Sequence, residues 1–307
     1  MVQYLNTAPL VWGFTNGPLQ GKYELSFTVP SQCAEALRTG AADVAIIPAI
    51  EYQRIPGLAI LPDLAIASKR SVRSLLLISK RPPDDAKRVA LDSSSRSTQA
   101  LTKILYKKHW KSEPEFVEME PNLPAMLEKA DAALLIGDPA LAIASQMEEP
   151  GEREGASRAE CQGSQVKPFD PPHPLWMMRP EVLGLSFNGC VFVSDIVEQW
   201  RTMTGLPAVL AVWAARTEAV TPELIEDFQR SRELGVQRIK EISEEWAPKL
   251  GMPAVKLEAY LRENIDFGLD AENLAGLRRY FAEAAELGLI AEAKALEIAS
   301  AKLVARS

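Results

Sequence analysis

Four polar clusters in this chain could grip an anion, and each falls between an apolar run and a helical pattern. Asn6-Thr7, in YLNTAPL, offers an amide and a hydroxyl just before Pro9. Pro30-Ser31 opens a second helix, and GDPA (137–140) a third. DSSSRST (92–98) is the richest. Ser93, Ser94, Ser95, Ser97 and Thr98 carry hydroxyls, Arg96 carries a planar cation, and the helix start adds backbone N–H groups. Such a set makes a cradle for a carboxylate. Equally, one serine caps the helix and the others are solvated, so residue types leave both readings open. In GDPA, Gly137 permits a tight turn and Asp138 serves equally as an N-cap with Pro139 at the first helical position. Arg73 directly precedes an apolar strand pattern and could point into a cleft, whereas Lys69 and Arg70 read as a solvated basic turn. For Asp43 and Glu51, turn polarity and helix capping explain the carboxylates as well as catalysis does.

Other chemistries have little support. Only two histidines are present, His109 and His173, and neither has a Cys, Asp or Ser partner at a useful local spacing. Cys33, Cys161 and Cys190 form no CxxC pair, so neither a disulfide framework nor a zinc site is expected. Cys33 lies in QCAEALRTG and reads as a small buried side chain.

The elements that position these residues follow from periodicity. Val2–Leu5, Leu25–Val29, Asp43–Ile47, Leu75–Ser79, Arg88–Leu91, Glu115–Val117, Ala132–Ile136 and PAVLAVWAAR (207–216) read as strands, with helical patterns between most of them. That alternation predicts parallel sheets with crossovers. In open α/β sheets, ligands collect at the carboxyl ends of strands, where all four polar clusters would lie. Residues 148–182 break the rhythm with Gly, Pro, Ser and charge and read as a long surface insertion; its Trp176–Met178 could dock on a lobe or on another subunit. Thr221 is placed to cap a helix with Pro222 at its first position. Leu274, Leu277, Phe281, Ala284 and Leu287 mark a later amphipathic helix, and the tail from Glu292 reads as another.

With 307 residues, 47% of them hydrophobic, the chain can bury a large core, and its length favours two lobes. The expected division is 1–84 and 203–307 for one lobe and 85–202 for the other, with the insertion near 148–182. A net charge of −7 disfavours nucleic acid as a partner. No secretory signal or run of about 18 apolar residues is seen, so no membrane partner and a cytoplasmic location are expected. The oligomeric state is left open.

YLNTAPLVWGF, DVAIIPAIEY, IASKRSVRSLLLISK, VALDSSSRSTQAL, DAALLIGDPAL and TGLPAVLAVWAAR occur in that order. Together they resemble the chorismate dehydratase family of the futalosine route to menaquinone. The resemblance implies an α/β fold of the periplasmic-binding-protein-like type II class, two-lobed, with a ligand cleft between the lobes. It implies a substrate, the small dianion chorismate, that loses water to give 3-[(1-carboxyvinyl)oxy]benzoate, with no redox or metal cofactor required. Asn6 and Ser95 would be catalytic. Thr7, Ser94, Arg96, Ser97, Thr98, Arg73 and Asp138 would bind substrate. The proton acceptor is either a protein group or the substrate's own enolpyruvyl carboxylate.

The pattern has departures. The motif begins almost at Met1, so the first strand is short here or the chain starts upstream. GLSFNGCVFVSDIVEQW stands where the family more often has a YDLGEEW-like segment, which leaves the role of residues around Asp195 open. Rival readings are 1,4-dihydroxy-6-naphthoate synthase, whose SPCPND-like opening is absent, and a non-catalytic binding protein for small anions.

Overall fold

The computed structural model describes Met1 and residues 4–147, 176–187 and 189–300. Its strands are β1 (Val44–Pro48), β2 (Leu58–Ser68), β3 (Leu75–Ser79), β4 (Arg88–Asp92), β5 (Glu115–Met119), β6 (Ala132–Ile136), β7 (Trp176–Met178), β8 (Val191–Asp195) and β9 (Ala208–Arg216). Its helices are α1 (Ala8–Thr15), α2 (Pro30–Thr39), α3 (Ala49–Arg54), α4 (Arg96–Lys108), α5 (Leu123–Lys129), α6 (Gly137–Ala144), α7 (Ile196–Thr204), α8 (Pro222–Gln237), α9 (Ile239–Leu250), α10 (Ala254–Ala259) and α11 (Ala271–Glu286). The chain divides into two compact units. Unit 1 comprises Met1–Arg70, Ser94–Leu101 and Leu206–Ser307; unit 2 comprises Ser71–Ser93 and Thr102–Gly205.

Unit 1 is built on a three-stranded sheet in the order β1-β9-β2, antiparallel throughout. Trp213 of β9 is buried and meets Phe228 of α8 at 4.8 Å between ring centroids; Phe14 of α1 meets the same ring at 4.8 Å. These edge and tilted contacts join sheet and helices through one aromatic cluster. Helix α1 lies so close to α8 that a Cβ on Gly235 would fall 1.9 Å from the Pro9 carbonyl oxygen. Thr221 accepts the Leu224 N–H at 3.0 Å, the predicted cap, with Pro222 opening α8.

Unit 2 holds a six-stranded sheet in the order β5-β4-β6-β3-β8-β7. Only β4 with β5 and β6 is parallel; β3 runs antiparallel to β6 and β8, and β7 antiparallel to β8. The expected parallel sheet with crossovers is found for β5, β4 and β6 and is corrected for the other strands of both units. Alternating apolar strands and helices report burial, and burial does not fix strand direction.

Further expectations meet a different outcome. Leu25–Val29 forms no named strand among the described residues, although Thr28 makes an isolated β-bridge and its N–H donates to the Met1 carbonyl at 2.7 Å. Of the first stub, Val2 and Gln3 lie outside the described residues, and Leu5 already begins a 3₁₀ turn. The tail is not a helix over 292–300. It runs extended beside β2, with Ile60 N–H donating to Glu297 O and Ala299 N–H to Ile60 O, each at 2.8 Å. There, pairing with a free strand edge overrides the helical periodicity. Of the insertion, 148–175 lies outside the described residues, while Trp176–Met178 docks on unit 2 as expected for one of its two alternatives, as an edge strand pairing with β8, with Trp176 and Met178 packed on its core. Cys190 is disulfide-bonded, against the expectation from spacing; Cys33 is free and buried as expected.

The reading also passed over β2, the eleven-residue partner of β9. Pro62 and Asp63 interrupt its apolar run, and Asp63 takes φ 59° where the register shifts between Ile60 and Ala65. A bulge of this kind bends a strand without ending it.

Candidate functional site

Asn6 and Thr7 form the 3₁₀ turn Leu5–Thr7 that runs directly into α1, where Pro9 occupies the first turn. The turn closes with the Thr7 N–H donating to the Tyr4 carbonyl at 3.0 Å. Thr7 is fully buried, and its hydroxyl reaches the Asn6 side-chain oxygen only at 3.4 Å. Asn6 is 8% exposed, and its amide nitrogen has no partner among the described residues.

The serine-rich segment is the second part. Ser94–Leu101 belongs to unit 1, although β4 before it and the rest of α4 after it belong to unit 2. The unit that contains Asn6 therefore also contains this bend. The Gln99 N–H donates to the Ser95 carbonyl at 3.2 Å as the helix begins. The N–H groups of Arg96, Ser97 and Thr98 precede that bond and have no acceptor within the helix. They carry the positive end of the helix dipole. The Ser95 and Thr98 hydroxyls lie 2.9 Å apart, and Ser94, Ser95, Ser97 and Thr98 are all buried.

Ser97 is anchored on both sides. Its hydroxyl oxygen accepts the Ile50 N–H at 3.0 Å, and its carbonyl accepts the Tyr280 hydroxyl at 3.0 Å. The starts of α3 and α4 are thus tied together, and α11 holds the pair. Ser93 faces other partners in unit 2, where its hydroxyl donates to Glu120 at 3.1 Å.

Sequence reasoning missed the carboxylate that organises this region. Glu51 is fully buried and receives the guanidinium groups of Arg38, Arg54 (2.8 Å) and Arg96 (3.1 Å). It is neither a cap nor a solvated turn residue but the centre of an ion cluster. The i,i+3 spacing of Glu51 and Arg54 was a visible signal; the approach of Arg38 and Arg96 was not. One nitrogen of Arg96 is committed to Glu51, and its side chain remains partly exposed.

The remaining candidates lie in unit 2. Arg73 has φ 59°, its N–H donates to Asp195 Oδ2 at 2.6 Å, and its guanidinium donates to the Ala144 carbonyl at 2.9 Å. Asp138 sits half-buried in the first turn of α6. Asp195 is fully buried, accepts the N–H groups of Val72, Arg73, Val197 and Glu198, and caps α7. Burial pushes its carboxyl up to about 6 against the pull of those donors. Desolvation, then the charge of Asp195, pushes the Glu198 carboxyl up to about 7, and Glu198 Oε2 is buried without a hydrogen-bond partner. His109 Nε2 lies 3.2 Å from Gln199 Oε1; His173 is outside the described residues.

Among the described residues, no cluster of three His, Cys, Asp or Glu side chains could hold a metal, and no helix is long and apolar enough to cross a membrane. The serine-rich helix start is a set of buried hydroxyls and backbone N–H groups beside one anchored arginine, Arg96. It suits the binding and polarisation of an anionic, oxygen-rich molecule.

Comparison with known proteins gives a consistent outcome. A sequence model described as menaquinone biosynthesis matches residues 1–153 and 183–286. The unmatched stretch between them falls within the region read as an insertion. A protein of Thermus thermophilus named chorismate dehydratase is 30% identical over 290 residues, covering 94% of this chain and 93% of its own. Among solved structures, an Archaeoglobus fulgidus protein superposes with a TM-score of 0.66 at 17% identity, covering 94% of this chain and 97% of its own. The periplasmic aliphatic sulphonate binding protein of Escherichia coli superposes with a TM-score of 0.59 at 14% identity, covering 96% and 90%. At those identities the two structures speak to fold alone, and the fold is periplasmic-binding-protein-like.

Proposed function

The chain belongs to the menaquinone biosynthesis family, and on that premise we propose that it acts as a chorismate dehydratase, a carbon–oxygen lyase. The substrate is chorismate and the products are 3-[(1-carboxyvinyl)oxy]benzoate and water. The C3–H bond breaks and its electron pair forms the last ring double bond. The C4–O bond breaks, and hydroxide leaves to combine with the released proton. Aromatisation drives the reaction, so the protein's task is to bind a dianion, orient it and help hydroxide depart.

Two features of unit 1 support this reading: a largely buried Asn6 whose amide nitrogen has no hydrogen bond to a described residue, and a buried, hydroxyl-lined helix start. In this assignment the Asn6 amide donates to the leaving C4 oxygen, where negative charge develops. The Ser95 and Thr98 hydroxyls and the first N–H groups of α4 take a carboxylate. Ser97 accepts from Ile50, so its own O–H remains available as a donor. Ser94 adds a hydroxyl, and Thr7 holds the Asn6 turn. Arg96, fixed at one nitrogen by Glu51, offers its other N–H groups to the anion. Arg73 and Asp138 are assigned to substrate binding with support from the motif resemblance only. The enolpyruvyl carboxylate of the substrate takes the C3 proton, which fits a site whose unit 1 members are neutral donors plus one cation.

Incubation of purified protein with chorismate tests the proposal. Loss of the cyclohexadiene absorbance with appearance of the substituted benzoate is the expected result. Tight binding with no turnover would replace the enzyme with a small-anion binding protein.

A further inference from the structure

Unit 1 contains a concavity lined by none of the residues assigned above to the substrate. It has a volume of about 540 Å³, well within the range of small-molecule sites. The C-terminal part of α8, the start of α9, the segment Ile265–Gly268 and a π-helical turn at Tyr260–Asn264 bound it. Single π turns recur at functional sites. Val236, Ile239, Leu261 and Phe267 give it apolar walls.

Three cations also line it, and their states differ. Lys69 faces Asp266, Asp270 and Glu272 at 3.6, 2.5 and 3.5 Å. Arg262 is exposed and donates to Glu258 at 2.8 Å. Arg232 is half-buried, its Nε is buried with no hydrogen-bond partner, and no ion pair with any described residue holds its guanidinium. Of the acidic residues at the cavity, Asp266 is already committed to the Gly268 N–H, Asn273 and Lys69, and Glu263 is exposed. A guanidinium without an ion-pair partner, at a cavity with both apolar walls and charged rims, is half of an ion pair.

We propose that this cavity is a binding site for a small organic carboxylate with an apolar body, its carboxylate paired with Arg232 and its body against Leu261 and Phe267. The site is separate from Asn6 and the serine segment and does not depend on the reaction assigned above. 1-Naphthoate is a suitable probe, and titration calorimetry on the full chain reads its binding. Wild type is expected to bind it. Arg232→Met should weaken binding at least tenfold while leaving chorismate turnover unchanged. Val236→Trp, which fills the cavity without touching the cation, should do the same if Arg232→Met fails to fold. Asn6→Ala and Ser95→Ala should bind the probe as wild type does. Undiminished binding in Arg232→Met or in a folded Val236→Trp, loss of binding in Asn6→Ala, or no binding by wild type at millimolar probe would each overturn the proposal.

Discussion

Asn6 lies in a largely buried turn, and its side-chain nitrogen makes no hydrogen bond to a described residue, so it is free to donate to a ligand. Asn6→Ala should leave stability nearly unchanged while lowering turnover by about 10²-fold or more. Equal turnover in a folded variant, measured at saturating chorismate, would remove Asn6 from the chemistry. Glu51 behaves in the opposite way. Replacing it with Gln leaves Arg38, Arg54 and Arg96 without their common counter-ion. Breaking a buried pair costs about 3–5 kcal/mol. These guanidiniums are each about a third exposed and can rehydrate, so about 2 kcal/mol is the expected loss in urea unfolding. At this scale the sequence displayed the hydroxyls and the amide but not their partners. Ser97 looks like its neighbours in DSSSRST, yet its contacts with Ile50 and Tyr280 cross 47 and 183 residues, and no local pattern encodes such pairings.

Among the elements, α1 and α8 depend on one missing side chain. A Cβ at Gly235 would meet the Pro9 carbonyl at 1.9 Å, and backbone cannot give way as a flexible side chain can. Gly235→Ala should therefore destabilise by about 3 kcal/mol, at the upper end for overpacking, and, because α1 follows the Asn6 turn directly, should lower turnover as well. Thr221→Ala, which removes only a cap, should cost about 1 kcal/mol and leave turnover intact. Chemical denaturation and the chorismate assay on both variants check the contrast. Helices and strands with strong periodicity were legible, α8 and its cap among them. The tail beside β2 was not, because an extended segment held by main-chain bonds to Ile60 needs no particular side-chain rhythm.

For the molecule as a whole, acid–base linkage supplies a distinct test. The Glu198 carboxyl stands at about 7 in the folded chain against an ordinary 4.5, so the folded state holds its proton more tightly than the unfolded one. Its contribution is most favourable below pH 4.5 and is lost as pH rises through 7. Asp195, pushed up to about 6, adds a fall in the same direction. Thermal unfolding from pH 4 to 8 should show Glu198→Gln matching wild type at the acid end and exceeding it at pH 8, with part of the slope remaining. The two-part α/β architecture was legible from the alternation of elements and from six motifs in order. That Ser94–Leu101 goes with unit 1 was not, since the segment lies between β4 and the later turns of α4, both in unit 2.

The order of the smaller sheet sets a timetable for synthesis. Within that sheet β1 and β2 are hydrogen-bonded to β9 and not to each other, and β9 is completed only at Arg216. While a ribosome is still making the first two-thirds of the chain, both early strands are without their sheet partner, whereas the stretch up to Gly205 already contains all of unit 2. The nascent polypeptide can therefore mature its middle before its beginning, and β2 gains its outer cover only when Glu297–Ala299 emerge, later still than β9.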